Sequence, residues 1–266
     1  MSRLRPFWVG TSAGLLCLSV VACSSPPDRA TSDIPSRDIT SDRPPTARPS
    51  SPVDAAVAAP TPAEVAAAAH YRQLGLGLRS QGQLDEAIAA FQQGATLDPT
   101  NLDGLVILGW TLHLAEQPDA AIEALQAALT DDETFVPALN ALGIVYLVNG
   151  HLSDAKLTHL QAIELQPDND IAQYNLSLAY QRLEEFDSAV AHARRATELE
   201  PENPHHWVAL AIALRSRQES DDASQAYVRA VQLDARYGNS AYLSHLAQAG
   251  FSPEQIRLSD RVRMGQ

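Results

Sequence analysis

In this 266-residue sequence, the side chains that could bind a metal or take part in catalysis are histidines, cysteines and clustered acidic residues. Eight histidines offer metal ligands or acid–base groups, but His205 and His206 are adjacent, so on a helix they point about 100° apart. The acidic runs 131–133 and 168–170 lie at predicted turns, where carboxylates favour helix N-termini; a calcium site is the alternative there. The sequence contains no HExxH, phosphate-loop, nucleophile-elbow or calcium-loop motif. We therefore expect no catalytic residue, no metal site and no cofactor.

Both cysteines, Cys17 and Cys23, lie near the start of the chain, and the remaining 243 residues contain none. This distribution excludes a disulfide framework and a thiolate metal site in the body of the protein. Cys23 follows a positively charged region with Arg3 and Arg5 and an apolar stretch from Phe7 to Ala22. That stretch is shorter than the ~20 apolar residues of a spanning helix, so residues 1–22 are predicted to be a secretory signal that is removed.

The end of this signal carries a recognisable motif. Val20-Val21-Ala22-Cys23, followed by Ser24, resembles the bacterial lipoprotein box. The resemblance implies a diacylglyceryl thioether on Cys23, cleavage before it and acylation of the new amine. Two or three acyl chains hold a protein stably at a membrane, whereas one holds it only marginally. Ser24 further implies sorting to the outer membrane, facing the periplasm. The alternative is an ordinary secretory signal with an incidental cysteine.

Residues 23–60 are predicted to be the lipidated cysteine and a disordered linker. This segment contains eight prolines, many Ser, Thr and Asp residues, and no aromatic residue. Such a composition buries too little apolar surface to offset the chain entropy lost on folding. A flexible linker of this length spans roughly 35 Å on average, so it is either a spacer or a leader with no length requirement.

The body of the chain repeats with a period of 34 residues. In a frame that starts at residues 68, 102, 136, 170 and 204, the seventh position is always leucine and the twentieth always alanine. The eighth and twenty-seventh positions are always small. Small residues let two antiparallel helices approach closely, while the leucine fills the seam between them. The pattern predicts ten helices in five pairs.

This pattern resembles the tetratricopeptide repeat, W-x2-L-G-x2-Y…A-x3-F…P. The resemblance covers residues 68–237 and implies an all-α, right-handed solenoid. The predicted repeat domain is 61–237, with repeats 68–101, 102–135, 136–169, 170–203 and 204–237. Position 18, usually Asp, is predicted to cap the second helix of each pair. Position 24 lacks a large apolar residue at His159 and Ala193, which suggests looser packing or an available convex face.

Both ends of the repeat domain carry helix signals. Thr61 to Glu64 forms a capping-box pattern with proline at the first helical position, so the first helix begins near Pro62. After the fifth repeat, Asn239 or Ser240 is predicted to cap a helix that Gly250 ends, and Ser252 to start another. Residues 238–266 are therefore predicted to be capping helices and a tail.

In the tetratricopeptide family, the first helix of each pair lines a concave groove. The corresponding residues here are Arg72, Leu76, Arg79, Val106, Trp110, His113, Asn140, Ile144, Tyr174, Leu178, Val208 and Arg215. An apolar, aromatic stripe of this kind indicates protein contact, with Trp110 and Tyr174 as the principal anchors. Padding of the seam between helices is the alternative for the aliphatic residues. Arg72 and Leu76 stand where the family's carboxylate clamp needs Lys and Asn, so chaperone C-terminal recognition is not expected.

The net charge of the chain limits the classes of partner that it is expected to bind. With 19 basic and 32 acidic residues the net charge is −13, and Lys156 is the single lysine, so nucleic-acid binding is not expected. The architecture is similar to tetratricopeptide lipoproteins that act as type IV pilus pilotins or as partners of envelope assembly machines. We expect a non-enzymatic, lipid-anchored adaptor that binds a protein segment in its groove. The alternatives are an assembly factor for a photosynthetic or other membrane complex, a structural lipoprotein and an enzyme.

Overall fold

A computed structural model of the protein describes residues 59–266. The predicted signal peptide, the lipidation at Cys23 and all of the linker before residue 59 lie outside the described residues. Within residues 59–266, no helix has both the length and the apolar character that crossing a membrane requires.

The described residues form five antiparallel helix pairs followed by a C-terminal cap, so the predicted all-α architecture is confirmed. The pairs are α1 (Pro62–Ser80) with α2 (Leu84–Leu97), α3 (Leu102–Leu114) with α4 (Pro118–Asp131), α5 (Val136–Val148) with α6 (Leu152–Leu165), α7 (Asp170–Arg182) with α8 (Phe186–Leu199), and α9 (Pro204–Ser216) with α10 (Ser220–Leu233). Two 3-10 segments (Ala235–Gly238 and Ser240–Ala249) and α11 (Pro253–Arg263) complete the chain. The first helix begins at Pro62 behind the Thr61–Glu64 capping box, as the sequence predicts.

The small residue at position 8 lets the two helices of a pair approach. In the first three repeats this residue is glycine, and an added Cβ would overlap the side chain at position 24 of the second helix. The pairs are Gly75 with Phe91 (2.7 Å), Gly109 with Leu125 (2.6 Å) and Gly143 with His159 (2.5 Å). The alanine at position 20 is fully buried in all five repeats. The close-packing role that the sequence indicates for these small positions is therefore confirmed.

The burial of the leucine at position 7 differs between the first repeat and the others. It is buried in the second to fifth repeats, whereas Leu74 in the first repeat is 45% exposed. No earlier helix pair lies beside α1 within the described residues. The first face of the stack is therefore apolar and open in the described part of the chain.

The predicted N-caps of the second helices are wrong. α2 begins at Leu84, so Asp85 lies inside its first turn, and the capping residue Gln83 makes no side-chain hydrogen bond to the helix. The same offset recurs in the other second helices, whose capping residues are Gln117, His151, Glu185 and Glu219. The acidic residues act instead through their charge near the positive end of the helix dipole.

The expectation of looser packing at position 24 is also wrong. His159 and Ala193 are both fully buried, so neither forms an available convex surface. The His159 ring occupies the space above Gly143, and neither of its nitrogens has a hydrogen-bond partner within the described residues. Burial lowers the pKa of His159 to about 3.

The C-terminal cap begins where the sequence predicts. Asn239 caps the second 3-10 segment by accepting from the Ala241 amide, and Gly250 ends it with a left-handed φ of 85°. Ser252 and Gln255 then form a second capping box at the start of α11. This helix extends to Arg263.

Candidate protein-binding groove

The first helices of the repeats form the layer that carries the predicted groove residues. α3 contacts α5, α5 contacts α7 and α7 contacts α9, so these helices lie side by side. The second helices α2, α4, α6 and α8 instead contact the first helices of their own repeat and of the next. Side chains on the free side of the first helices therefore share one surface, the inner surface of the solenoid.

Repeats one to three leave this inner surface open. Leu76 on α1, Val106 and Trp110 on α3, and Ile144 on α5 are all partly exposed. Trp110 packs beside His113 with ring centroids 5.2 Å apart. We call this region, including Arg79, the open groove. It offers an aromatic ring and aliphatic side chains on three neighbouring helices, which is the composition of protein-contact surfaces.

Polar side chains border the open groove. Arg72 pairs with the buried Asp98 at 3.5 Å, and Asn169, which caps α7, donates to the Asn140 side chain at 3.1 Å. Arg79 reaches from α1 to α3 and donates to the Thr111 hydroxyl at 3.4 Å. Burial lowers the pKa of the Arg79 guanidinium.

His113 shares this desolvated environment at the end of α3. Burial lowers the pKa of its imidazole below the ordinary range. The neutral form is therefore favoured, and it can both donate and accept a hydrogen bond.

Repeats four and five do not offer the groove that the sequence predicts. Tyr174, Leu178 and Val208 are buried, and Leu178 and Val208 have no exposed surface. The Tyr174 hydroxyl donates to the Ala249 carbonyl at 2.5 Å, and its ring lies 6.1 Å from that of Phe251. The C-terminal part of the chain thus covers this half of the inner surface, which corrects the interpretation of Tyr174 as an exposed anchor.

The same segment engages Arg215 and residues that the sequence analysis did not single out. Arg215 Nε donates to the Gln266 carbonyl at 3.0 Å. Gln255 is buried, and its Nε2 donates to the Leu178 carbonyl at 3.1 Å and to Gln181 Oε1 at 2.9 Å. The capping box locates the start of α11 from sequence, but no local signal shows where this helix packs.

Known proteins share this repeat architecture. A family model described as tetratricopeptide repeat matches residues 72–134, 140–204 and 174–241, which is more than half of the chain. The chain belongs to the tetratricopeptide repeat family.

Within residues 59–266, no group of three or more His, Cys, Asp or Glu side chains is placed to hold a metal ion.

Several solved tetratricopeptide structures share the fold. The PilF protein of Pseudomonas aeruginosa superposes with a TM-score of 0.60 at 22% identity, covering 75% of this chain and 90% of PilF. MamA gives a TM-score of 0.56 at 25% identity, covering 64% and 93%. TTC0263 of Thermus thermophilus gives 0.55 at 22% identity, covering 69% and 98%.

One curated relative aligns with part of the chain. It is the uncharacterized protein y4yS of Sinorhizobium fredii, 28% identical over 110 residues. The alignment covers 41% of this chain and 60% of that protein.

Proposed function

We propose that this protein is a non-enzymatic tetratricopeptide adaptor that binds a segment of another envelope protein in its open groove. The observation that carries the proposal is the contrast between the two halves of the inner surface. Trp110, Leu76 and Ile144 stay partly exposed, whereas Leu178 at the equivalent position of the fourth repeat is covered. Aromatic and aliphatic side chains grouped on a surface indicate a protein partner.

The proposal includes a lipid anchor at Cys23 and an outer-membrane location facing the periplasm. Its support is the Val20–Cys23 lipoprotein box followed by Ser24. The Pro- and Ser-rich linker before α1 would hold the groove some distance from the membrane surface.

The process that we propose is assembly or localisation of an envelope complex, with a pilotin-like role in type IV pilus biogenesis as the closest analogy. The support is architectural: a lipoprotein box, a linker and five repeats, together with a fold shared with PilF. The alternative is an assembly factor for a photosynthetic or other membrane complex. The identity of the crosslinked partner distinguishes these two processes.

Site-specific photocrosslinking tests the binding surface. Benzoylphenylalanine is placed at Trp110 in the open groove or at Leu157, which is 63% exposed on α6. We expect a defined envelope protein to crosslink at residue 110 but not at residue 157. The purified partner is then titrated against Trp110→Ala, with Leu157→Ala as the matched control.

Removal of a central aromatic anchor costs ~2 kcal/mol or more, which is about a thirtyfold loss of affinity. We expect this loss for Trp110→Ala and unchanged affinity for Leu157→Ala. Full affinity in Trp110→Ala, with helicity intact by circular dichroism, would show that the open groove is not the binding surface.

A further inference from the structure

The last eighteen residues of the chain, 249–266, lie across the inner surface of repeats four and five; we call them the C-terminal segment. The segment contacts α7 through Tyr174 and Leu178 and α9 through Arg215, and α11 also packs against α10 and the second 3-10 segment. These are positions at which a tetratricopeptide groove would hold a ligand. The segment therefore occupies a binding surface.

The contacts that hold the segment are specific and polar. The Gln255 side chain donates to the Leu178 carbonyl and to Gln181, and its own carbonyl oxygen accepts from the Ser252 amide at 2.9 Å. Gln181 in turn donates to Ser216 on α9 at 3.0 Å. The amide of Gln255 thus has all of its partners only when α11 is docked, and a buried amide without them would be unfavourable.

Three buried side chains of the segment, Gln255, Ser259 and Val262, follow one face of α11, and the buried Phe251 lies two residues before this helix begins. Phe251 and Gln255 are four residues apart, Ser259 is four further, and Val262 three further. All four are buried. The two large apolar members of this set stand at its ends, with the amide and the small residue between them. The types and spacing of these buried residues indicate which helical sequence the inner surface of repeats four and five can bind.

The segment has the local signals of an independent helix. Gly250, its second residue, forms a sharp turn with a left-handed backbone, and α11 then starts with its own capping box and Pro253. Its outer face is charged, with Glu254, Arg257 and Arg261 exposed. Tyr237 and Leu246, which precede the glycine, are buried in the core of the last repeat.

Besides backbone bonds such as that from the Phe251 amide to the Leu246 carbonyl, two hydrogen bonds that involve side chains tie the segment back to the cap. Ser240 donates to Asp260 at 2.9 Å, and Arg263 donates to the Gly238 carbonyl at 3.4 Å. They join exposed groups, so they contribute less than the buried contacts of Gln255.

We propose that the inner surface of repeats four and five is a helix-binding site, occupied in cis by the C-terminal segment, that also binds a partner helix of the same chemistry in trans. That helix has an aromatic residue two positions before its start, a glutamine at its third position, a small residue four positions later and an aliphatic residue three positions after that. This inference rests on the proposed function, because it extends partner binding from the open groove to the covered half. A partner that spans both halves must displace the segment.

Tethering explains why the site is filled in the free protein. A covalently linked segment has an effective concentration in the millimolar range, so it outcompetes a free helix of equal intrinsic affinity. The apparent affinity for a partner is then reduced by the fraction of molecules in which the segment is undocked. The C-terminal segment therefore sets the threshold for binding in trans.

A peptide of residues 249–266 with a fluorescent label is the probe. It is titrated against the full-length chain in detergent and against the full-length double variant Phe251→Ala/Gln255→Ala. We expect at least tenfold tighter binding to the double variant, because its own segment docks weakly. A control peptide with alanine at the position of Gln255 should bind the double variant about tenfold more weakly than the native peptide. A helical double variant that binds the peptide no better than wild type would overturn the proposal.

Hydrogen exchange of the unmodified protein is a second test of this proposal, and it needs no variant. We expect the amides of α11 to exchange faster than those of α9 and α10, through an opening that leaves the repeats folded. Exchange of α11 only at the rate of global unfolding would identify it as a fixed cap and overturn the proposal.

The experiments distinguish failure of the open-groove proposal from failure of the proposal on the C-terminal segment. Peptide binding does not involve Trp110, so a failed peptide titration leaves Trp110-dependent partner binding unaffected. Conversely, a partner that is insensitive to Trp110→Ala contradicts the open groove and leaves the peptide result standing.

Discussion

Gly143 on α5 and His159 on α6 share one space, because a Cβ on the glycine would lie 2.5 Å from the imidazole ring. The first two repeats place Phe91 and Leu125 in the same way over Gly75 and Gly109. The third repeat thus keeps the geometry of the pair but fills it with a polar ring. That ring is fully buried and its two nitrogens lack hydrogen-bond partners within residues 59–266.

Gly143→Ala should destabilise the protein by about 1–3 kcal/mol, since the added methyl overlaps a ring that has no free space to move into. The free energy of unfolding in urea, followed by circular dichroism, measures the effect. Gly77→Ala is the matched control, because nothing lies within 4 Å of a Cβ at that position of α1. The control should gain up to about 1 kcal/mol from the better helix propensity of alanine. Equal unfolding midpoints for the two variants would contradict the close-packing account.

His159→Leu should stabilise the protein by about 1–3 kcal/mol at neutral pH, because it removes a buried polar group without partners and recreates the Gly109–Leu125 pair. Urea denaturation of the variant and the wild type measures the difference. His70→Leu on the exposed part of α1 is the control and should change stability little. A destabilised His159→Leu variant would show that the imidazole makes a favourable interaction.

The stability of the protein should fall on acidification through His159. The native state keeps this imidazole neutral because burial lowers its pKa to about 3, whereas the unfolded state takes up a proton near pH 6.5. The contribution is therefore complete above pH 6.5 and is lost as the pH falls from 6.5 towards 3, by about 1.4 kcal/mol per pH unit.

Comparison with His159→Leu isolates this effect from the other histidines. The stability difference between the variant and the wild type should widen by about 2 kcal/mol between pH 7 and pH 5. A difference that stays constant with pH would indicate that the native state also accepts the proton at His159.

Cys23→Ser should abolish metabolic labelling with palmitate and leave the precursor uncleaved, because the thioether has no sulfur on which to form. Cys17→Ser is the matched control, since Cys17 lies within the predicted signal, and both labelling and cleavage should persist. Gel mobility and radiolabel incorporation report the two outcomes. Unchanged labelling of the Cys23→Ser protein would remove the lipoprotein hypothesis.

The sequence by itself determined the repeat architecture, since each of its signals is local and recurs. The 34-residue period, the small residues at positions 8 and 20, and the capping boxes at Thr61 and Ser252 correctly predicted the helix pairs and the start of α11. It predicted the caps of the second helices incorrectly, because each of these helices begins one residue before position 18 and its capping residue lies at position 16. The lipid anchor at Cys23 and the partner stay predictions.

Tertiary structure alone decided which groove residues are free. The sequence predicts both Tyr174 and Trp110 as aromatic groove anchors, but the carbonyl that Tyr174 contacts lies 75 residues further along the chain. No periodicity encodes such a long-range contact, because it depends on where the chain returns after the last repeat. The same holds for His159, whose burial depends on the missing side chain of Gly143 on the facing helix. Local sequence sets helices and their spacing, while the burial of each face depends on what the rest of the chain places over it.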